Sequence, residues 1–144
     1  MKEKYRILIP ENPLFKNYEK EIKNLYEKNR LRICDDNDFN FIKNNTLFYL
    51  FLYEEKVLGG IYYYKNNDKL FLNACAKRGY FEEKLECLKQ SLSWFCSDIY
   101  AIANNRASAL CLLRCGFKRQ KNDVYRYDQV QKGSETSGKE KDVF

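Results

Sequence analysis

The amino-acid sequence predicts one α+β domain built around a mixed, strongly twisted sheet. Three strand-like runs follow one another closely at 46–55, 57–65 and 69–76, as in an antiparallel meander. A helical segment separates the third run from another short apolar run at 98–103. Such a strand–helix–strand unit places its two strands parallel, with a right-handed crossover. The full predicted order is β-α-α-β-β-β-α-β-α-β-β.

The amino-terminal part is predicted to hold one strand and two helices. Residues 4–10, KYRILIP, read as a short strand that ends in proline. A helix is expected from Pro13 to about Arg30, because apolar residues recur there at helical spacing while Lys and Glu fill the other face. A second, shorter helix is expected within 34–45, ending near Asn44. Three acidic residues are its N-cap candidates: Asp35, Asp36 and Asp38.

The carboxy-terminal part is predicted to alternate helices and short strands. A helix follows Gly79, and its buried stripe consists of Phe81, Leu85, Leu88, Leu92 and Phe95. The segment NRASALCLLRCG is a second helix, which Gly116 closes as a C′ residue. Two short strands are expected around a turn at 121–123. Residues 1–130 therefore form the predicted domain, and 131–144, which lack apolar periodicity, form a predicted disordered tail.

Composition and charge favour a globular protein without a nucleic-acid or membrane partner. The 144 residues are 44% hydrophobic and carry a net charge of +6. Lys alternates with Glu along 16–32 and no block of five basic residues occurs, so a solvated mixed surface is favoured over a nucleic-acid patch. The longest apolar run, LFYLFLY at 47–53, is too short to span a bilayer.

The inventory of histidine and cysteine excludes several kinds of active site. The chain has no His, which rules out a Ser-His-Asp triad, a Cys-His dyad and a His-ligated metal site within it. No metal site is predicted. Six cysteines are present and none forms a CxxC pair: Cys34, Cys75, Cys87, Cys96, Cys111 and Cys115. Their even number allows disulfides, but free thiols in a reducing cytoplasm are the favoured interpretation.

The helix that ends at Gly116 carries a pattern seen in a known family. Asn105, Ser108, Leu112 and Gly116-Phe117 match N-x-x-S/A-x-x-x-L/Y-x-x-x-G-F without a gap. In this pattern the chain resembles the Gcn5-related N-acetyltransferases, the GNAT superfamily. YEEKVLGGIYYY at 53–64 is similar to the hairpin of strands two and three in that family.

The resemblance covers roughly residues 4–127 in the order of elements. It implies a GNAT-like fold that binds acetyl-CoA as co-substrate and transfers its acetyl group to an amine. It also implies that the first two helices shape the substrate pocket, which would place Phe39, Phe41 and Ile42 near the substrate. Small, divergent members of the family occur in phage genomes, and the altered motifs of this chain resemble theirs.

The family holds the cofactor's pyrophosphate in the loop before the long helix, commonly as Q/R-x-x-G-x-G/A. Here Gly79 fits the first glycine, Ala76 replaces Gln/Arg and Phe81 replaces the second glycine, while Lys77 and Arg78 add positive charge. The alternative is a simple strand-to-helix turn. The resemblance implies these cofactor-binding residues: Ala74, Cys75, Ala76, Lys77, Arg78, Gly79, Tyr80, Phe81, Asn105 and Ser108.

No catalytic residue can be assigned from the sequence with the same specificity. Many family members carry a proton-donating Tyr where this chain has Leu112, whereas N-x-x-S-x-x-L-L occurs in branches that modify protein N-termini. The candidates are Ser108, Cys75 and Asn73. Ser108 either bonds the cofactor or its own i−4 carbonyl, and Asn105 contacts the pantetheine arm, caps the helix, or does both. Cys75 is either near the thioester or a buried structural thiol.

Three functions are compatible with these observations. The leading hypothesis is an acetyl-CoA-dependent N-acetyltransferase of the cytoplasm, bacterial or phage-encoded, with an unidentified amine substrate. The second is a catalytically silent GNAT-like binding or virion-associated module. The third, a basic nucleic-acid-binding domain, is disfavoured because no aromatic RNA-binding motif or basic stripe occurs.

Overall fold

The structure is a computed structural model that describes residues 4–129. The tail predicted at 131–144 lies outside the described residues. The strands are β1 Tyr5–Leu8, β2 Leu47–Tyr53, β3 Lys56–Asn66, β4 Lys69–Ala76, β5 Ile99–Ile102, β6 Lys118–Arg119 and β7 Val124–Tyr127. The α-helices are α1 Lys16–Asn29, α2 Phe39–Asn45, α3 Phe81–Leu92 and α4 Arg106–Arg114. The predicted fold class and element order are confirmed.

The strands form one mixed sheet in the order β1-β2-β3-β4-β5-β7-β6. β4 and β5 run parallel, as predicted, and every other neighbouring pair is antiparallel. α3 connects the two parallel strands, because a chain that leaves the end of one strand must cross the sheet to enter a parallel neighbour.

Helices cover the two faces of the sheet over different strands. A core cluster beneath α1 and α2 packs on β1, β2 and β3, and a larger cluster packs on the opposite face against α3 and α4. Successive side chains of β3 point to opposite faces of the sheet and so enter different clusters. Tyr62 and Tyr63 are 0% and 1% exposed and belong to one cluster each. The tyrosine run on β3 therefore contributes to both cores.

The acidic residues before α2 have separate roles. Asp38 is the N-cap, and its Oδ1 accepts a hydrogen bond from the backbone N–H of Phe41 at 2.9 Å. Asp35 instead accepts hydrogen bonds from the hydroxyl of Tyr62 and the backbone N–H of Asn37. One of the three predicted candidates is thus the cap, and another fixes the connection between α1 and α2 to the sheet.

α3 is shorter than its apolar stripe predicts. The helix ends at Leu92, and the backbone N–H groups of Ser93 and Trp94 bond to carbonyls three residues back in tighter turns. Phe95 therefore lies beyond the helix, although its ring still packs 4.3 Å from that of Tyr63. The stripe identified residues of the core correctly but misplaced the end of the helix.

No helix within residues 4–129 combines the length and apolar character required to cross a membrane.

Candidate active site

A cleft opens where the two parallel strands separate. β4 pairs with β5 only over Leu70–Leu72, opposite Ile99–Ala101, whereas β4 stays paired with β3 as far as Ala76. The last four residues of β4 therefore have no strand on one side. The resulting cleft has a volume of about 970 Å³ and is bordered by β4, β5, α1, α3 and α4.

Most of the residues predicted to bind a cofactor line this cleft, together with the catalytic candidate Asn73. They are Ala74, Cys75, Ala76, Lys77, Arg78, Gly79, Asn105 and Ser108. Tyr80 and Phe81 do not line it. The ring of Tyr80 lies 6.4 Å from that of Tyr53, and the guanidinium of Arg114 lies 5.4 Å above the ring of Phe81. Phe81, which the resemblance aligns with a glycine, thus lies beside α4.

The loop before α3 has the features of an anion site. Gly79 has φ +86°, and a methyl group added there would meet nothing within 4 Å. Tyr80 follows with φ +53°, and its side chain does not cap the helix. Within residues 4–129 the first N–H groups of α3 consequently lack a side-chain acceptor at the positive end of the helix dipole.

Three basic side chains surround this loop. Arg78 is exposed. The Nζ of Lys77 lies 3.6 Å from the carboxylate of Glu21 at the rim. The Nζ of Lys84 donates a hydrogen bond of 2.7 Å to the carbonyl of Lys77, and burial lowers the pKa of Lys84. The loop therefore contributes positive charge to the cleft wall, as Lys28 and Arg32 also do, although Glu82 and Glu83 add negative charge in the first turn of α3.

Asn73 is occupied by contacts within the protein. Its Oδ1 accepts a hydrogen bond from the backbone N–H of Ala74 at 2.9 Å, and its Nδ2 donates one to the carbonyl of Ile33 at 2.8 Å. Asn73 therefore ties the segment after α1 to the open edge of β4, and its carboxamide has no basic character with which to accept a proton.

Asn105 caps α4, as one of the two predicted roles requires. Its Oδ1 accepts a hydrogen bond from the N–H of Ser108 at 2.9 Å, and its Nδ2 lies 3.3 Å from the carbonyl of Arg32. Together with Asn73 it holds residues 32–33 over the cleft. These contacts join residues 73 and 40 positions apart, so no local pattern in the sequence could have revealed them.

Replacing Asn105 with alanine is expected to reduce the free energy of unfolding by about 1 kcal/mol, the usual contribution of an N-cap. Urea unfolding measures this loss. Asn104→Ala is the matched control, because the exposed Asn104 precedes the cap and is not the helix N-cap. Equal effects of the two substitutions would contradict the capping role.

Ser108 is the catalytic candidate with an available polar group. Its side chain is half-buried in the cleft wall, and within residues 4–129 its hydroxyl bonds no protein group, its i−4 carbonyl included. Leu112, one turn later, is 7% exposed and packs in the larger core cluster. At the position that the resemblance matches to the family's tyrosine, this chain thus has a buried side chain that cannot donate a proton.

Cys75 has the properties of a structural thiol. It is 1% exposed, packs in the cluster beneath α1 and α2, and burial raises its pKa to about 12. At neutral pH it is a protonated thiol and a poor nucleophile. All six cysteines are free. Within the described residues, no group of three His, Cys, Asp or Glu side chains is arranged to hold a metal ion.

The exposure of the cysteines predicts their reactivity. Cys34 and Cys96 are exposed, whereas Cys75, Cys87 and Cys115 are buried. Titration of the native protein with a chromogenic disulfide at pH 8 should show Cys34 and Cys96 reacting rapidly. The buried thiols should react only after denaturant is added. Rapid reaction of Cys75 in the native protein, assigned by mass spectrometry, would contradict the packing described.

The same burial predicts a loss of stability in alkali. Burial raises the pKa values of Cys75 and Cys87 to about 12 and of Cys115 to about 11, so these groups keep their protons after the unfolded chain has lost them near pH 9. The native state then binds more protons, and stability falls as pH rises above 9, by up to about 1.4 kcal/mol per unit for each thiol. Urea midpoints at pH 8 and pH 10 test this. Cys75→Ala should reduce the difference between the two midpoints. A wild-type midpoint that is the same at pH 8 and pH 10 would contradict the predicted loss of stability.

Phe39, Phe41 and Ile42 lie on α2. Phe39 and Ile42 are buried in the core beneath α1 and α2, and Phe41 is 48% exposed. None of the three lines the cleft. α2 turns its apolar side onto β2, and the placement of these three residues near the substrate stays a prediction.

Comparison with known proteins identifies solved structures that share this fold. No protein-family model and no curated protein matches the sequence. Solved structures do match the fold. A structure described as a probable acetyltransferase superposes with TM-score 0.63 at 12% identity, over 90% of this chain and 95% of the other.

Two further structures have TM-scores of 0.57. The microcin C7 self-immunity acetyltransferase MccE, in complex with acetyl-CoA and AMP, is 13% identical over 88% of this chain and 93% of its own. The ribosomal-protein-S5-alanine acetyltransferase from Vibrio fischeri is 14% identical over 81% of each chain. At these identities the likeness establishes the fold, which is that of the GNAT acetyltransferases.

Proposed function

We propose that the protein is an acetyl-CoA-dependent N-acetyltransferase of the cytoplasm. The observation that carries the proposal is the cleft between β4 and β5, which leads to an uncapped helix N-terminus beside three basic side chains. A long ligand with amide groups along one part and phosphates at its end matches both features. The superposition on acetyltransferases, one of them solved with acetyl-CoA, supports this choice.

The walls of the cleft provide complementary groups for each part of acetyl-CoA. The loop from Lys77 to Tyr80 and the first N–H groups of α3 would hold the pyrophosphate, with Arg78 and Lys84 adding positive charge. The edge of Asn73–Ala76 that faces no neighbouring strand would bond the amide-bearing arm as an added strand, through groups other than the N–H of Ala74, which donates to Oδ1 of Asn73. Acetyl-CoA supplies an activated acyl group, which a neutral amine attacks with loss of the thiol.

The side chains around the thioester region limit the chemistry that the protein performs. Ser108 has an unpaired hydroxyl in the wall and is the group we propose to stabilise the developing charge or the leaving sulfur. Cys75 and Asn73 are poor candidates, because one is a buried thiol and the other is bonded at both ends. Binding two reactants in the correct orientation would supply much of the rate enhancement.

Amine-dependent release of CoA tests the proposed activity. Purified protein is incubated with acetyl-CoA and a panel of amines, free thiol is followed, and the acetylated product is identified by mass spectrometry. Ser108→Ala should lower kcat by about tenfold or more while leaving the affinity for acetyl-CoA nearly unchanged. Saturable acetyl-CoA binding without release of CoA for any amine would contradict the proposal.

One observation favours a second candidate, a catalytically silent GNAT-like binding or virion-associated module. Among the residues of 4–129 that line the cleft there is no tyrosine, and Glu21, 3.6 Å from Lys77, is the single carboxylate. A cleft built only for binding needs no proton donor or acceptor. In this case acetyl-CoA binds and no acetylated product forms, which is the outcome that distinguishes the two candidates.

A further inference from the structure

An aromatic ladder crosses three adjacent strands of the sheet. Tyr64 on β3 pairs in register with Phe71 on β4, and Phe71 pairs in register with Tyr100 on β5. Both neighbouring ring pairs have centroids 5.7 Å apart, with interplanar angles of 18° and 34°. Directly opposed residues lie on the same face of a sheet, so the three rings form one continuous strip.

Two rings of this ladder belong to neither core. Tyr64 packs against the cluster beneath α1 and α2, but Phe71 and Tyr100 pack against neither of the two clusters and are half-buried. Ile102, two residues after Tyr100 and on the same face, is 41% exposed. The ladder therefore begins at the edge of a core and continues across an open part of the sheet.

The ladder borders the cleft on the side of the sheet opposite to α3 and α4. Phe71 lies two residues before Asn73, where β4 and β5 begin to separate, and Ile102 itself lines the cleft. A molecule lying on the ladder would meet a ligand in the cleft at the point of separation. This is the place from which a second substrate would reach a thioester held between the strands.

Positive charge flanks the ladder. The Nζ of Lys69 lies 4.9 Å and the guanidinium of Arg126 lies 5.6 Å from the centroid of the Tyr100 ring. Lys118 shares this face, because it pairs in register with Arg126. Asp98 forms an ion pair with Arg126, whereas within residues 4–129 no carboxylate lies in ion-pair distance of Lys69 or Lys118.

We propose that the acceptor amine carries a planar aromatic group with an anionic substituent. The aromatic group would stack on Phe71 and Tyr100, and the anion would lie near Lys69, which is 4.9 Å from the centroid of the Tyr100 ring. The amine would then point toward the separation of β4 and β5. This inference rests on the proposed acetyltransferase function and specifies the class of its second substrate.

Four amines test separately the recognition of the aromatic ring and the recognition of the anion. Para-(aminomethyl)benzoate has both the ring and the anion, benzylamine has only the ring, aminohexanoate has only the anion, and hexylamine has neither. Their affinities are measured by calorimetry or saturation-transfer NMR, with and without acetyl-CoA, so turnover is not required. We expect para-(aminomethyl)benzoate to bind about tenfold tighter than benzylamine or aminohexanoate, and hexylamine to bind weakest.

Variants distinguish recognition from a structural role of the ladder. Phe71→Leu and Tyr100→Leu should remove the preference for amines with a ring but keep the preference for amines with an anion. Lys69→Gln should remove the preference for an anion but keep the preference for a ring. Tyr53→Leu, a half-buried tyrosine on β2 outside the ladder, is the control and should change neither ratio. A purely structural ladder would change stability without changing these ratios.

The binding and transfer measurements test the class of acceptor amine and the acetyltransferase activity separately. Equal binding of the four amines, or ratios that the ladder variants leave unchanged, would overturn the inference about the acceptor even if CoA is released with another amine. Selective binding of para-(aminomethyl)benzoate that depends on the ladder, without transfer of an acetyl group, would support the site and contradict the enzyme.

Discussion

Replacing Gly59 with alanine is expected to destabilise the domain by about 3 kcal/mol or more. A methyl group at this position would lie 2.2 Å from the carbonyl oxygen of Cys75 and 2.8 Å from the Cα of Ala76. Both neighbours belong to the backbone of β4, so relief requires β3 and β4 to move apart where they border the cleft. The fall in melting temperature should be about 10 °C for a domain of this size.

Gly79→Ala is the matched control for this substitution. A methyl group at Gly79 meets nothing within 4 Å, so only the positive φ of +86° opposes it. The expected cost is about 1 kcal/mol, the penalty of a left-handed conformation for a residue with a side chain. Urea or thermal unfolding compares the two variants. A Gly59→Ala protein no less stable than Gly79→Ala would show that the strands do not approach so closely.

Reversing the charge of Arg78 is expected to weaken acetyl-CoA binding by about 2 kcal/mol, roughly thirtyfold, at low salt. Arg78 is exposed beside Gly79, and the substitution Arg78→Glu places a carboxylate next to the proposed pyrophosphate site. Because the interaction is partly screened, the difference should shrink as ionic strength rises. Calorimetric titration at low and high salt measures both effects.

Lys16→Glu is the control for that charge reversal. Lys16 is an exposed cation at the start of α1, and it does not line the cleft. It changes the net charge by the same amount, so a general effect of protein charge would appear in both variants. Equal loss of affinity in the two proteins would place the phosphates away from the loop before α3.

Local patterns in the sequence predicted much of the fold. Apolar runs separated by short turn segments predicted the meander of β2, β3 and β4. The predicted bounds of β4, 69–76, are those that the structure has. The pattern from Asn105 to Gly116 predicted α4 with both of its ends, because capping is a local interaction between residues three or four positions apart. Phe95 illustrates the limit, since a stripe of apolar residues marks burial but not where a helix stops.

The candidate site was predictable only where it follows from local structure. The loop at 76–79 lies at the end of a strand and the start of a helix, so its position on the cleft follows from the topology. The attachments of Asn73 to Ile33 and of Tyr62 to Asp35 join residues 40 and 27 positions apart, and the aromatic ladder depends on the register of three strands. Such contacts arise from the tertiary fold.

Thermal unfolding of the wild-type protein with and without acetyl-CoA tests most directly whether the cleft between β4 and β5 binds acetyl-CoA. A ligand that binds only the native state stabilises it by about 2.7 kcal/mol at a hundred times its Kd. At a millimolar concentration we therefore predict a rise in melting temperature of roughly 5–10 °C, reduced in the Arg78→Glu variant. An unchanged melting temperature at millimolar acetyl-CoA would contradict the account.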